Sequence, residues 1–387
     1  MKISKAANVI ESSLSRQLFN MAKNYDDVID LTLGDPDIVP SEHIRSAACE
    51  AVKAGKTRYS ANAGLQTLRE LIATNIHKEY GLTVDPLQEV AVTVGGMEAL
   101  FLSLACIVDD GDEVIILAPY YVNYKQMVSM CGGVSVIVNT REEDGFSITA
   151  EELEKYVTSR TVAIVINTPC NPTGAVLDLN ALTGIAQIAK KYDLTVISDE
   201  VYRTLVYDGV KHESIVTIEG MRERTVVVDS LSKRFAMTGY RLGYVVAPEA
   251  LITNIVKMQE NVAACAPLPS QYAGIAAFEK CEEDTTIRDE FQRRRDYIYD
   301  AIRKIDGLSC IKPAATFYLY VNISKTGLRS LDFAYALLQK EHVAVVPGVT
   351  YGDAYDHFVR IAYTKKIEEL TLAVERIEKF MKDLMTN

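Results

Sequence analysis

The sequence lacks the paired cysteines and histidines of common metal sites, and it lacks long apolar segments. Its seven cysteines and five histidines are scattered, without a Cys-x-x-Cys or His-x-x-x-His pair. This pattern predicts reduced thiols in a reducing compartment and no dedicated metal site. No apolar run reaches the length of a membrane span, and the N-terminus lacks the apolar core of a signal peptide. We therefore expect a cytoplasmic protein that has no membrane partner.

The charge balance is acidic. With 41 basic and 52 acidic residues, the formal net charge is −11, which argues against a nucleic-acid partner because phosphate binding needs a basic surface. The 387 residues are 48% hydrophobic and predict two or three domains with a large buried core. The sequence shows no low-complexity linker and no internal repeat.

The middle of the chain alternates apolar β-rich runs with helical stretches. The β-rich runs cover residues 113–118, 134–139, 161–167, 194–200, 225–230 and 241–247. Helices are expected after the Ser41 cap, from Gly95-Gly96 onward and over 179–192. Runs that are apolar throughout suit strands buried on both faces, so the pattern predicts a mainly parallel sheet flanked by helices.

The pattern changes after about residue 280. A long charged helix is followed by an isolated strand near 315–323, a helix near 331–342, short strands and a closing helix. This order predicts a smaller α+β domain over 281–387, after a large domain over 41–280. Residues 1–40 are too few to fold alone, so we expect them to pack on the small domain or on a partner subunit.

One lysine follows a buried strand in a distinctive segment. Residues 230–243 read Ser-Leu-Ser-Lys-Arg-Phe-Ala-Met-Thr-Gly-Tyr-Arg-Leu-Gly, which places Lys233 in a loop at the carboxyl end of a strand. Ligands bind at that edge in open α/β sheets. A desolvated lysine there can lose its proton and form a Schiff base. Taken alone, Lys233 would be read as a surface lysine, as most lysines are.

Other strand ends carry matching chemistry. Asn171 follows the run 161–167, Asp199 lies at the end of the run 194–200, and Tyr202 follows that run. The Gly95-Gly96 pair opens a helix whose free backbone N–H groups suit a phosphate. Each feature alone is weak evidence, because a Gly-Gly pair also marks turns and a lone aspartate is often a cap. Their joint occurrence at strand ends indicates one site.

In these motifs, the sequence resembles the fold-type I, class I/II aminotransferases, which use pyridoxal 5′-phosphate. The resemblance runs from Leu33-Gly34-Asp35-Pro36 to Arg360, and the segment around Lys233 fits the family's attachment signature at every position. It implies the fold-type I architecture, an α/β fold with a mainly parallel seven-stranded sheet and a smaller α+β domain. It also implies transfer of an amino group from an L-amino acid to a 2-oxo acid.

The resemblance also implies roles around the cofactor ring. Lys233 would form the Schiff base and then shuttle the proton. Asp199 would keep the pyridine nitrogen protonated, so that the ring acts as an electron sink. Tyr202 and Asn171 would hydrogen-bond the phenolic oxygen. Tyr121 would stack on the ring, where many family members have tryptophan; this sequence has none.

Further residues match the family's phosphate and substrate contacts. Tyr59 matches the tyrosine that reaches the phosphate of the neighbouring subunit, which implies a homodimer. Arg360 matches the arginine that binds the substrate α-carboxylate as a planar fork, with Asn171 beside it. Gly34 matches the loop that closes over the substrate. The cofactor-binding set near the phosphate comprises Gly95, Gly96, Met97, Ser230, Ser232 and Arg241.

The substrate side chain is less constrained. In one bacterial aspartate aminotransferase branch, a lysine occupies the position of Met97, and methionine cannot pair with a distal carboxylate. The apolar segment 263–269 adds to this argument. Neutral or aromatic donors are therefore favoured, with aspartate as the family default. Arg58 or Arg16 remains a candidate for binding the distal carboxylate of an acidic substrate.

The sequence leaves one rival function open and argues against two others. A pyridoxal-phosphate-dependent carbon–sulfur β-lyase on the same fold would use the same lysine, aspartate and arginine, and it remains the alternative. A transcription regulator with an aminotransferase-like domain needs a DNA-binding domain, but only about forty residues precede the sheet. A nicotinamide-dependent Rossmann enzyme is excluded because no Gly-x-Gly-x-x-Gly follows the first strand.

Overall fold

The computed structural model describes residues 2–4, 7–8, 10, 14–281 and 284–386. In chain order its strands are β1 (Ile29–Asp30), β2 (Val90–Thr93), β3 (Glu113–Ala118), β4 (Val134–Asn139), β5 (Thr161–Asn167), β6 (Thr195–Asp199), β7 (Thr225–Ser230), β8 (Gly243–Val246), β9 (Ser309–Cys310), β10 (Tyr318–Asn322), β11 (Val343–Ala344), β12 (Val346–Pro347) and β13 (Phe358–Ala362).

The α-helices lie between and after these strands. They are α1 (Leu14–Ala22), α2 (Glu42–Lys53), α3 (Gln66–Tyr80), α4 (Gly95–Ile107), α5 (Asn123–Met130), α6 (Ala150–Glu154), α7 (Leu179–Lys191), α8 (Leu231–Arg234), α9 (Glu249–Val262), α10 (Leu268–Lys280), α11 (Thr286–Ile302), α12 (Ser330–Glu341) and α13 (Ile367–Thr386). Within the described ranges, no helix combines the length and apolarity needed to cross a membrane.

A seven-stranded sheet forms the central layer, in the order β2-β8-β7-β6-β5-β3-β4. Strand β8 pairs antiparallel with β2 and β7, and the other pairs are parallel. The side chains of β3 alternate between two cores: Ile116 packs with α4 and α5, whereas Ile115 packs with α7. Helices therefore cover both faces, and the predicted mainly parallel α/β sheet is confirmed.

Two smaller sheets lie outside the central sheet. One is antiparallel, in the order β12-β13-β10-β9, and the other pairs β1 with β11 in parallel. Through β1, the N-terminal segment contributes Ile29 and Leu31 to the same core as Ile377 and Met381 of α13. The proposed division at residues 40 and 280 stays a prediction.

Three local expectations need correction. Strand β2 was not predicted, because four residues are too few to show a period. Lys233 lies in the single-turn helix α8 rather than in a loop. Ser41 does precede α2, but its side chain does not cap a backbone N–H; its hydroxyl lies 3.0 Å from Cys281 Sγ.

Candidate active site

A cavity of about 730 Å³ lies at the carboxyl ends of β5, β6 and β7. Its lining includes twelve of the residues that the sequence predicts for the site: Gly34, Gly96, Met97, Tyr121, Asn171, Asp199, Tyr202, Ser230, Ser232, Lys233, Arg241 and Arg360. Two predicted residues lie outside the lining. Gly95 lies directly behind Arg241, and Tyr59 is 86% exposed on the surface of the single chain.

The amine of Lys233 points into this cavity. Its Nζ donates a hydrogen bond to the Gly34 carbonyl at 2.7 Å, across 199 residues of sequence. Burial lowers the pKa of Lys233 to about 8, helped by the positive charges of Arg241 and Arg360, whereas Asp35 works in the opposite direction. A substantial fraction of the amine is therefore neutral near physiological pH, which is the form that attacks a carbonyl carbon.

Asp199 ends β6 beneath the cavity. Burial raises the pKa of its carboxyl group to about 6, and the hydroxyl of Tyr124 opposes this shift through a 2.5 Å hydrogen bond to Oδ2. The Val201 N–H also donates to Oδ1, at 3.3 Å. A cationic ring nitrogen beside this carboxylate would offset the cost of its burial, so the site fits a protonated pyridine.

Arg360 lies on β13 and is almost fully buried. Nη1 donates to Asn171 Oδ1 at 3.0 Å, and Nη2 donates to the Thr32 carbonyl at 2.5 Å. The buried Nε has no hydrogen-bond partner among the described residues. A buried guanidinium with no paired carboxylate among these contacts is suited to bind an anion that enters the cavity.

The phosphate end of the site is a cradle at the start of α4. Gly95 has φ +74°, and a Cβ at this position would lie 2.6 Å from Arg241 Nη2. Only glycine therefore allows the guanidinium to approach the helix N-terminus. Ser230 and Ser232 place their hydroxyl oxygens 2.9 Å apart on the same side. N–H groups, two hydroxyls and a guanidinium form a donor set that fits a phosphate.

Met97, Tyr121 and Asn123 line another wall of the cavity. The Tyr121 hydroxyl lies 3.4 Å from Met97 Sδ. The amide of Asn123 lies 3.3 Å from the same sulfur and 3.0 Å from the Tyr121 oxygen. Among the described cavity-lining residues, the cationic side chains are Lys233, Arg241 and Arg360. This wall is therefore neutral.

Sequence reasoning missed three residues of the site. Tyr124 holds Asp199, Asn123 contacts Met97, and Tyr318 lies under Arg360 with its ring centroid 4.2 Å from the guanidinium carbon. The first two lie within three positions of Tyr121, so a search of the neighbourhood of the predicted ring contact could have found them. Tyr318 comes from β10, and no local motif distinguishes it.

One candidate for binding an acidic side chain, Arg58, does not enter the cavity. Arg58 is exposed and is not part of the lining. The side chain of Arg16 lies outside the described part of the structure. The structure therefore supplies no second guanidinium beside Met97 within the residues that it describes.

The chain matches known aminotransferases along most of its length. It is 42% identical to an aspartate aminotransferase of Pyrococcus abyssi and 40% identical to an aromatic-amino-acid aminotransferase of Thermococcus litoralis, covering 99% of both chains in each case. A solved aromatic aminotransferase from Pyrococcus horikoshii superposes with a TM-score of 0.90 at 41% identity, covering 95% of this chain and 99% of that one.

The family assignment agrees with the geometry of the cavity. A family model described as aminotransferase class I and II matches residues 26–377. Members of this family are pyridoxal 5′-phosphate enzymes, and the donor sets around Lys233, Asp199 and Arg241 fit that cofactor. The chain therefore belongs to the class I and II aminotransferases and is a pyridoxal-phosphate-dependent transaminase.

Proposed function

We propose that this transaminase binds its cofactor through Lys233 and prefers neutral or aromatic amino donors. The observation that carries the proposal is the convergence of Lys233, Asp199 and Arg360 on one cavity. Bound pyridoxal phosphate supplies an aldehyde that condenses with amines and a cationic ring that accepts the electron pair left by the Cα proton. The chain's own residues supply binding, orientation and proton transfer.

Lys233 is the proposed base. Its Nζ takes the proton from the substrate Cα and holds it until it is returned, a role that suits an amine whose pKa is lowered to about 8. The Gly34 carbonyl, 2.7 Å away, holds the amine inside the cavity when it is not covalently engaged. Gly34 also lies in the segment that borders the cavity, so it is placed to help exclude water from the reacting atoms.

The other residues are proposed to fix the cofactor. Asp199 pairs with the ring nitrogen, while Tyr202 and Asn171 donate to the phenolic oxygen. Tyr121 covers the ring face. The phosphate is held by the Gly95–Gly96 backbone together with Met97 of α4, and by Ser230, Ser232 and Arg241.

Arg360 is proposed to bind the α-carboxylate of the substrate. Its guanidinium already has Asn171 and Thr32 as partners, so its orientation is fixed before a substrate arrives. This preorganisation lowers the entropic cost of binding and sets the Cα–H bond at a constant position. The same contact serves amino acids and 2-oxo acids, because both carry this carboxylate.

The donor preference follows from the neutral wall. A distal carboxylate would enter a partly buried region beside Met97, Tyr121 and Asn123, where it gains hydrogen bonds but no cation. A buried carboxylate without a counter-charge costs several kcal/mol. Apolar and aromatic side chains carry no such penalty. The relatives include both aspartate and aromatic aminotransferases, so relatedness alone does not select between these donors.

The test is a panel of amino donors with one acceptor. We expect kcat/KM for phenylalanine, methionine or alanine to exceed that for aspartate by roughly two orders of magnitude, the equivalent of about 2.7 kcal/mol. Each donor is measured with 2-oxoglutarate as the common acceptor, because oxaloacetate with aspartate and pyruvate with alanine would give no net reaction. If kcat/KM for aspartate exceeds that for the neutral donors by tenfold or more, a cation binds its distal carboxylate and the proposed preference is wrong.

The active unit is proposed to be a homodimer in the cytoplasm. Tyr59 is 86% exposed in the single chain, which suits a residue that contacts a neighbouring subunit. All cysteines are free, as expected in a reducing compartment. Residues 41–280 are proposed as the cofactor domain and 281–387 as the small domain, with 1–40 packing on the latter or on the partner.

A further inference from the structure

Tyr318 contacts both the carboxylate-binding arginine and the cofactor-binding tyrosine. It lies on β10, which pairs with the β13 strand that carries Arg360, and it is 3% exposed. Its aromatic ring lies under Arg360, with the guanidinium carbon 4.2 Å from the ring centroid. Its hydroxyl oxygen lies 3.0 Å from the hydroxyl oxygen of Tyr202.

The ring contact acts on the orientation of Arg360. A guanidinium over an aromatic face is attracted by the negative potential of that face, and the attraction is stronger when both groups are removed from water. The two hydrogen bonds to Asn171 and Thr32 and the contact with the Tyr318 ring together restrain the guanidinium of Arg360.

The hydroxyl contact acts on Tyr202. A phenol has a single proton to donate, so a Tyr202 that donates to the cofactor's phenolic oxygen must accept from its other neighbour. Tyr318 is in position to be that donor. Hydrogen bonds in a chain polarise one another, which makes Tyr202 a stronger donor than it would be alone.

Tyr318 also leaves no room at Gly34. A Cβ on Gly34 would lie 1.7 Å from the Tyr318 hydroxyl oxygen, so the bare backbone of Gly34 packs directly on this group. The Gly34 carbonyl in turn accepts from Lys233 Nζ. One side chain thus contacts the segments that hold the substrate carboxylate, the phenolic oxygen and the catalytic amine.

We propose that Tyr318 is a positioning residue that couples the Arg360 carboxylate site to the Tyr202 side of the cofactor site. This inference rests on the proposed roles of Arg360 and Tyr202. The ring and the hydroxyl have separable functions: the ring orients Arg360 for substrate binding, and the hydroxyl strengthens the hydrogen bond that Tyr202 donates.

Two substitutions separate these functions in the holoenzyme. Tyr318→Phe keeps the ring and removes the hydroxyl, whereas Tyr318→Leu removes both. Tyr318→Met, whose unbranched side chain adapts more easily to the space left by the ring, replaces Tyr318→Leu if that variant does not fold. Tyr320→Phe is the matched control, since Tyr320 lies on the same strand, outside the cavity lining, and its buried hydroxyl has no partner in the described structure.

The first readout is the dissociation constant of 3-phenylpropanoate, a carboxylate without an amino group. We expect it to rise about tenfold in Tyr318→Leu, because a desolvated cation–π contact contributes about that factor, and to stay unchanged in Tyr318→Phe. KM for all amino donors should rise by a similar factor in Tyr318→Leu, with a smaller change in kcat.

The second readout is the visible absorbance of the holoenzyme as a function of pH. A strong hydrogen bond from Tyr202 disperses the phenolic negative charge that stabilises a proton at Lys233 Nζ. Tyr202 donates a weaker hydrogen bond in Tyr318→Phe. The pH at which half of the absorbance change has occurred should therefore rise by about half a pH unit. Tyr320→Phe should leave this midpoint unchanged.

Arg360→Lys distinguishes failure of this inference from failure of the proposed function. If Arg360→Lys weakens 3-phenylpropanoate binding but Tyr318→Leu does not, or if Tyr318→Phe leaves the midpoint in place, the role assigned to Tyr318 is wrong. If Arg360→Lys itself leaves the binding of this carboxylate unchanged, the proposed role of Arg360 is wrong.

Discussion

The hydroxyl oxygen of Tyr124 lies 2.5 Å from Asp199 Oδ2, although 75 residues separate the two in sequence. Both side chains are almost fully buried. The contact places a donor from α5 against the carboxylate that ends β6. It favours the ionised carboxylate and opposes the burial that raises its pKa to about 6.

Tyr124→Phe should therefore weaken catalysis, while the enzyme still binds its cofactor. Loss of a hydrogen bond to a charged group costs about 1.5–3 kcal/mol, so we expect kcat/KM to fall roughly ten- to a hundredfold. The pKa of Asp199 should rise further above its ordinary value, which would make the lost activity more severe at acidic pH. Tyr320→Phe serves as the control. Equal kcat/KM values in the two variants across pH 5–8 would contradict a role for Tyr124 in catalysis.

Addition of the cofactor to the apoenzyme should depend on pH through Lys233. Burial lowers the pKa of this amine from 10.5 to about 8, so the reactive neutral fraction increases as pH rises through about 8 and levels off above it. Stopped-flow absorbance measures the rate constant of cofactor addition.

Asp35 raises the pKa of Lys233, so Asp35→Asn should move the increase in this rate constant to lower pH. Asp37→Asn, which alters an ion pair with Arg294, is the control. A midpoint near 10.5 would show that the amine is not desolvated.

Met97→Lys should change the choice of donor. A lysine at this position gives the neutral wall a cation for a distal carboxylate, so kcat/KM for aspartate relative to phenylalanine should rise roughly ten- to a hundredfold. Met97→Leu keeps the wall neutral and should leave the ratio near that of the parent enzyme. If both variants shift the ratio alike, the side chain at position 97 does not read the substrate charge.

Tyr59 should contribute to cofactor binding only within a dimer. Tyr59→Phe is expected to weaken the affinity for pyridoxal phosphate about tenfold, the value of one hydrogen bond to an anion, while the sedimentation coefficient stays that of a dimer. Tyr192→Phe, at another exposed tyrosine, should have no effect on this affinity. A parent enzyme that sediments as a fully active monomer would refute the shared site.

The strands and their ends could be predicted from sequence because the signal is local. Six of the central strands are apolar runs bounded by polar residues. Asn171, Asp199 and Lys233 were predicted as site residues because they end or follow such runs. In a parallel sheet, the carboxyl ends of strands share one edge, so these residues were expected to meet. The structure places all three in the cavity lining.

The contacts between distant segments could not be predicted in this way. Tyr124 and Tyr318 reach the site from α5 and β10, and their positions depend on how those elements pack rather than on any pattern within them. Strand β2 is too short to show alternation. The predicted role of Tyr59 depends on a second subunit, which neither the sequence of one chain nor its fold contains.

The attachment of the cofactor to Lys233 is tested most directly by chemical reduction. Borohydride treatment of the yellow holoenzyme fixes the linkage at the Lys233 amine, and mass spectrometry of the digested protein locates the modified residue. The account predicts a pyridoxyl group on the peptide that contains Lys233, with no such label in Lys233→Arg. A pyridoxyl group on another lysine in the parent enzyme would contradict it.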